Sequence, residues 1–390
     1  MNQKEVGKTV KIFALASFLN DLGSDMIYPI WPLFVTSVLG ANMAVLGFID
    51  GLGDAIVSIS QAASGYISDK IRKRKVFIWV GYLCGSLSRV GYGLSPVWQY
   101  LMPFRILDRA GKIRAAPRDA IVADISTKEN RGRNFGLIRA MDNLGAVCGI
   151  IVCILFVELL GYRNLFLIAT IPSVISTLLI FTLIKEKTTD AKIYKGLSLT
   201  KLDRNFNLFL LLSSFFALGS FSYSFLLVYA KELGFQVVFI PVLYLVFTVI
   251  ASISSLPFGK LSDKIGRKQV LMLSYILWGL VCFSFIFIQR YWAIILTFAL
   301  YGLHKGMLEP VQKTLVSELA PPEYKASCLG GFQMVIGLCT LPSSLIAGIL
   351  WDKVNIVMPF YFSLILTILS IIMLIFVKEV SKNGKDCKRD

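Results

Sequence analysis

GYISDKI at 65–71 and GKLSDKI at 259–265 agree at five of seven positions and lie 194 residues apart. At the same spacing Arg131 falls on Lys325 and Gly136 on Gly330. Two separate landmarks at one offset point to a duplicated chain whose halves share a topology. The longest polar segment, KEKTTDAKIYKGLSLTKLDRNF at 185–206, lies between the copies. The expected organisation is a first half at 1–184, a linker at 185–205, a second half at 206–377 and a tail at 378–390.

Each half must be mostly membrane. The chain has 390 residues, 56% of them hydrophobic and 16% charged, against about 25% charged in a soluble domain. Apolar runs near the ~20 residues needed to cross a bilayer recur at 12–38, 44–68, 76–95, 98–121, 132–157, 164–184, 206–231, 237–258, 270–289, 292–317, 326–350 and 356–377. The expected fold is an all-α membrane protein of twelve transmembrane helices in two pseudo-symmetric six-helix bundles around a central cavity. With the amino terminus cytoplasmic, inside segments hold 27 lysines and arginines, outside segments hold 4, and 9 lie within spans. That bias places both termini in the cytoplasm and the chain in the cell membrane. It accounts for the net charge of +16 without nucleic acid as a partner. The first apolar run carries Asp21 and Asp25 and is too long for a signal peptide.

Catalytic chemistry has no visible seat. A single histidine and seven cysteines without a CxxC pair argue against a metal site. No phosphate loop or nucleophile motif is present. Neither an enzyme nor a cofactor is expected.

GYISDKIRKRK at 65–75 and GKLSDKIGRK at 259–268 resemble the cytoplasmic loop signature of the major facilitator superfamily, Gly-x-x-x-Asp-Arg/Lys-x-Gly-Arg-Arg/Lys. The second copy fits; in the first, Arg72 stands at the signature's glycine. The resemblance, extended by twelve spans and a central linker, implies a monomeric transporter working by alternating access on a small molecule. It assigns a cytoplasmic gate to Gly65, Asp69 and Arg74, with Gly259, Asp263 and Arg267 opposite. It also implies that the first and fourth spans line the cavity.

Intramembrane charge is concentrated in the first half. Leu101–Asp124, LMPFRILDRAGKIRAAPRDAIVAD, sits where a span is required yet carries eight charged residues. Each costs roughly 2.5–3.5 kcal/mol at bilayer depth unless it faces protein or water. Arg105, Arg109 and Lys112 form one stripe, with Asp108 beside it. The first span offers Asp21, Asp25 and Tyr28 on one face. The second repeats the device with Asp50 and Asp54, and the fifth adds Arg139 and Asp142. Such a cluster either forms structural ion pairs or binds a charged solute and exchanges a proton. Asp21, Asp25, Arg105 and Arg109 are the sharpest candidates. Arg118 and Asp124 lie near the cytoplasmic face and belong with the gate. Ser126 and Glu129 read as a capping box for the fifth span. Gly145 and Gly149 read as a close-packing pair.

The second half differs. Its first span, SSFFALGSFSYSFLLVYA, has no charge but offers Phe215, Phe216, Phe221, Tyr223, Phe225 and Tyr229 as a stackable wall. His304 and Glu309 lie in the tenth span. The expected function is secondary active transport of a small organic solute, as proton-coupled efflux of amphipathic compounds. Uptake or exchange of an organic anion, and a non-transporting receptor or assembly factor, stand as alternatives.

Overall fold

The computed structural model describes residues 3–71, 73–127, 130–184, 203–288, 290–321 and 325–379. The fold is all-helical, with twelve membrane helices and no strand among the described residues. Helix α1 runs Gln3–Asp25 and resumes after a turn as Trp31–Leu33 and a π-turn, Phe34–Val38. Helices α2 (Met43–Ile71) and α3 (Lys75–Leu94) are continuous. Helix α4 comprises Trp98–Ala110, a 3-10 turn Gly111–Arg114 and Ala115–Ile125. Arg131–Leu183 contains α5 and α6, which meet at Gly161, where φ is 72°. Helix α7 comprises Arg204–Gly219 and Tyr223–Glu232. Then follow α8 (Ile240–Ile265), α9 (Arg267–Phe287), α10 (Tyr291–Leu319), α11 (Lys325–Lys353) and α12 (Met358–Ile375).

Seven stretches of the described residues are long and apolar enough to cross a membrane, and one of them, Gly132–Leu183, holds two helices. The other four helices, α1, α3, α4 and α10, each bury an ionisable side chain: Asp25, Arg89, Arg105 with Asp108, and His304.

Three helices expected to be continuous are broken. In α1, Pro29 and Pro32 remove two backbone donors within four residues. In α4, Gly111 packs against α3 so closely that a Cβ on it would meet the Gly81 carbonyl. In α7 the chain leaves the helix at Ser220 and restarts at Ser222, whose hydroxyl caps the new turn by accepting from the Ser224 amide at 3.2 Å. The breaks after Asp25 and Gly219 are 194 residues apart, so the duplication holds at this level too.

The capping-box expectation at Ser126 fails. The Ser126 hydroxyl donates back to the Val122 carbonyl at 2.6 Å, closing α4, and accepts from the Asn134 amide at 2.8 Å. Glu129 lies outside the described residues. The glycine pair behaves as expected. A Cβ on Gly145 would strike the Phe18 carbonyl and one on Gly149 the Leu22 carbonyl, so α5 seats on the α1 backbone.

The chain forms two compact units. Unit one is Met1–Tyr194 with Phe221–Leu245 and Thr340–Ile356; unit two is Lys195–Ser220, Val246–Cys339 and Val357–Asp390. Unit one has an apolar core, including Phe13, Ile78, Tyr82, Val122, Ile138 and Ile180, contributed by α1, α3, α4, α5 and α6. It also holds a tight contact between α2 and α11. A Cβ on Gly47 would meet the Ser344 carbonyl, one on Gly51 would meet Leu341, and one on Gly348 would meet the Met43 carbonyl. Asp352 closes that contact by accepting from the amides of Met43 at 3.1 Å and Ala44 at 2.8 Å, an acidic cap on the α2 N-terminus. In unit two, α9 packs on α10 and α12, and α12 on the first segment of α7.

Candidate functional site: a buried arginine and carboxylate cluster

The cluster lies in unit one, and Asp50 is its hub. Buried on α2 with 3% exposure, it accepts four hydrogen bonds. Its Oδ1 takes Arg105 at 2.7 Å and the Trp31 indole at 3.0 Å. Its Oδ2 takes the Ser222 hydroxyl at 2.8 Å and the Ser224 hydroxyl at 2.5 Å. Four donors satisfy a carboxylate's lone pairs. Asp50 therefore ties α4 and the α1 break to the α7 break. The Ser222 amide adds a bond to the Ser344 hydroxyl of α11 at 3.2 Å.

Arg105 spends one nitrogen on Asp50 and stacks over the Trp31 ring at 4.3 Å. Among the described residues its Nε and Nη1 are buried without hydrogen-bond partners, as is the Nε of Arg109. Both Nε atoms converge beside Gly53, where a Cβ would lie 3.3 Å from that of Arg109 and 3.4 Å from that of Arg105. A side chain at 53 would press on both guanidinium groups. Arg109 lies over the Tyr28 ring at 5.2 Å, donates to its hydroxyl at 3.4 Å and stands 3.8 Å from Asp108. Buried guanidinium donors without acceptors are costly, and an anionic group would satisfy them.

Asp25 ends the first segment of α1, buried, and accepts from the Tyr244 hydroxyl at 3.4 Å. Tyr244 stands 194 residues after Asp50. The duplication thus yields two matched contacts, α2 to α7 through Asp50 and α8 to α1 through Tyr244. Asp21 is half-buried and accepts from Asn20 at 2.8 Å. Asp54 is exposed and Lys112 half-buried. Arg89 is structural: it binds the Asn20 carbonyl at 3.1 Å and the Ser24 hydroxyl at 2.7 Å.

Arg118, Arg139 and Asp142 form a second group. Arg118 donates to Ser17 at 2.7 Å and to Asp119 at 3.0 Å, and lies 3.8 Å from Asp142. Arg139 is exposed and stands 3.9 Å from Asp142. Arg118 therefore joins α1 and α5 rather than Asp124.

The loop arginines are equivalent clamps. Arg74 reaches Asp124 at the end of α4 at 2.5 Å. Arg267 reaches Glu318 at the end of α10 at 3.1 Å, and also Asp263 at 2.5 Å. Asp124 and Glu318 are 194 residues apart, but the arginines are 193 apart. Gly266, with φ of 111°, takes the backbone conformation that favours glycine. Its counterpart Arg72 lies outside the described residues, as does the side chain of Asp69. Gly65 stands near Ala116, 3.5 Å from where its Cβ would be, whereas a Cβ on Gly259 would meet nothing within 4 Å.

In unit two, His304 is fully buried against Phe216, Trp278 and Tyr301. Its Nδ1 lies 2.8 Å from the Ser274 carbonyl. A carbonyl only accepts, so Nδ1 carries the proton, and Nε2 has no hydrogen-bond partner among the described residues. Glu309 is exposed. The expected aromatic wall is mostly core. Phe216 stacks on Tyr275 at 4.0 Å, and Phe225 and Tyr229 pack on Trp351. Phe221 is also buried, leaving Phe215 and Tyr223 half-buried.

Sequence reading missed Ser222, Ser224, Tyr244 and Trp31 as partners of the charges. The offset of 194 applied to Asp50 and Asp124 would have singled out Tyr244 and Glu318.

The family model described as Major Facilitator Superfamily matches residues 13–251 and 207–388. The chain is 39% identical over 387 residues, 96% of each sequence, to an uncharacterised MFS-type transporter of Methanocaldococcus jannaschii. It is 24% identical over 372 residues, covering 91% of this chain and 92% of the relative, to multidrug resistance protein 2 of Bacillus subtilis. A point variant of the nucleoside transporter NupG superposes with a TM-score of 0.76 at 15% identity, covering 94% of this chain and 98% of that one.

Proposed function

Since the chain belongs to the Major Facilitator Superfamily and is a multi-pass membrane transporter rather than an enzyme, we propose that it moves a small organic anion by proton-linked alternating access. The observation that carries this reading is the guanidinium pair beside Gly53: Arg105 and Arg109 together bury three nitrogens without hydrogen-bond partners among the described residues, and two of them, the Nε atoms, lie next to Gly53. A carboxylate, sulfonate or phosphate group supplies acceptors of the right charge and geometry. Asp25 is the proposed proton carrier. It is buried, accepts one long hydrogen bond, and has no cation within ion-pair distance among the described residues. Such a carboxylate gains by taking a proton. The halves 1–184 and 206–377 are the proposed moving bodies, joined by the 185–205 linker with both termini cytoplasmic. The Arg74–Asp124 and Arg267–Glu318 clamps serve as the proposed gate elements on that side.

Proton-coupled efflux of amphipathic compounds is the second reading. The resistance-protein relative and the buried Asp25 favour it. Five of the six aromatic residues that would have formed its binding wall are engaged in ring packing, which weighs toward the anion. The test is exchange transport in proteoliposomes with a panel of organic anions, cations and neutral amphipathic compounds. The anion reading expects exchange of at least one anion, lost in Arg109→Gln. Exchange of cations or neutral compounds only, unaffected by Arg109→Gln, would overturn it.

A further inference from the structure

A groove of about 500 Å³ opens in unit one between the first turns of α1 and the last turns of α6. Its floor is apolar, formed by Ile12, Leu15, Leu179 and Leu183, and its rim carries Lys8 and Lys11. Lys8, Lys11 and Leu15 follow one another at i, i+3 and i+7, so one helical stripe passes from cationic to apolar over two turns. Both lysines are exposed, and neither pairs with a carboxylate among the described residues. Leu15 and Leu183 are 43% and 48% exposed. The stripe crosses the edge of the first apolar run, with Lys8 and Lys11 just ahead of Ile12 and Leu15 inside it. An apolar floor flanked, where the first apolar run begins, by two ammonium groups unpaired among the described residues is complementary to one kind of molecule.

We infer that this groove is a binding site for an anionic phospholipid, one acyl chain lying between α1 and α6 and the phosphate resting on Lys8 and Lys11. Lysine suits this task, being a compact point charge on a long apolar stem that spans the boundary. A zwitterionic lipid fills the same floor but brings a cation to the lysines. The groove therefore selects by charge. It is separate from the arginine cluster, and this inference does not depend on the solute.

The experiment is native mass spectrometry of the full chain in detergent, titrated with phosphatidylglycerol, phosphatidylcholine or glycerol phosphate. The wild-type chain is expected to retain phosphatidylglycerol over phosphatidylcholine by about 30-fold, from about 1 kcal/mol per lysine. Lys8→Gln/Lys11→Gln removes that preference while leaving phosphatidylcholine binding unchanged. Gly7→Leu projects into the groove from a position where a Cβ meets nothing within 4 Å, and lowers binding of both lipids. Lys260→Gln/Lys264→Gln, in the last turns of α8, keeps the preference. Three results would each overturn the inference: an unchanged preference in Lys8→Gln/Lys11→Gln, its loss in Lys260→Gln/Lys264→Gln, or glycerol phosphate binding as tightly as the lipid.

Discussion

Arg105 and Asp50 meet at 2.7 Å, both buried, and only one of the two is fully satisfied. Asp50 accepts four hydrogen bonds, whereas Arg105 keeps Nε and Nη1 without partners among the described residues. The pair is therefore asymmetric, with a saturated carboxylate acting as anchor and a cation holding spare donors. That asymmetry is what sets the anchor at Asp50 apart from the proposed ligand-binding Arg105, which proximity alone would not.

Removing one member should cost more than removing both. Arg105→Gln leaves Asp50 charged and buried, at a cost of about 3–5 kcal/mol. Asp50→Asn in the same chain relieves that charge, so Asp50→Asn/Arg105→Gln should melt above Arg105→Gln alone. Thermal melting of the purified variants in detergent checks this, and equal melting temperatures would refute it.

Ser222→Ala/Ser224→Ala removes two of the donors to Asp50 and the bond from α7 to α2. At about 1.5–3 kcal/mol for each hydrogen bond to a charged group, this contact should open more often. In a background carrying Ser344→Cys, thiol labelling from the face where α2 meets α11 should be faster by tenfold or more. An unchanged labelling rate would show that Asp50 does not hold the segments together.

Asp25→Asn keeps the shape of the side chain and removes the proposed proton exchange. Solute exchange by this variant should persist while net transport driven by a pH gradient is lost. The measurement is a pair of proteoliposome assays, counterflow at equal pH and uptake under an imposed gradient. Retained gradient-driven transport would reassign the proton to another group.

Glycines of α5 should respond oppositely. Gly145→Ala places a methyl group against the Phe18 carbonyl and should destabilise by about 1–3 kcal/mol. Gly136→Ala meets nothing within 4 Å, and should stabilise by up to about 1 kcal/mol through helix propensity. Melting curves of the two variants side by side test the α1–α5 contact.

The sequence by itself determined the helical membrane fold and the duplication. Hydropathy, basic loops and the repeated Gly-x-x-Ser-Asp-Lys are local signals that survive without coordinates. It also marked Asp21, Asp25, Asp50, Asp54, Arg105 and Arg109 as anomalous, with Asp21, Asp25, Arg105 and Arg109 foremost, because charge at bilayer depth is visible residue by residue. The tertiary structure decided which partners each charge meets. Asp50 is saturated by Ser222 and Ser224, some 170 residues away, and no local pattern marks two serines as partners of a distant carboxylate. Arg118 turned to Asp142, and Arg74 took Asp124, because helix packing rather than sequence spacing sets which charges come within 4 Å. The GYISDKI and GKLSDKI copies show the same limit. Their register reads directly from the sequence, yet the arginine that grips the acid sits at Arg74 in one half and at Arg267 in the other. That one-residue slip accompanies Gly266, whose positive φ shapes the second loop and whose place in the first is taken by Arg72.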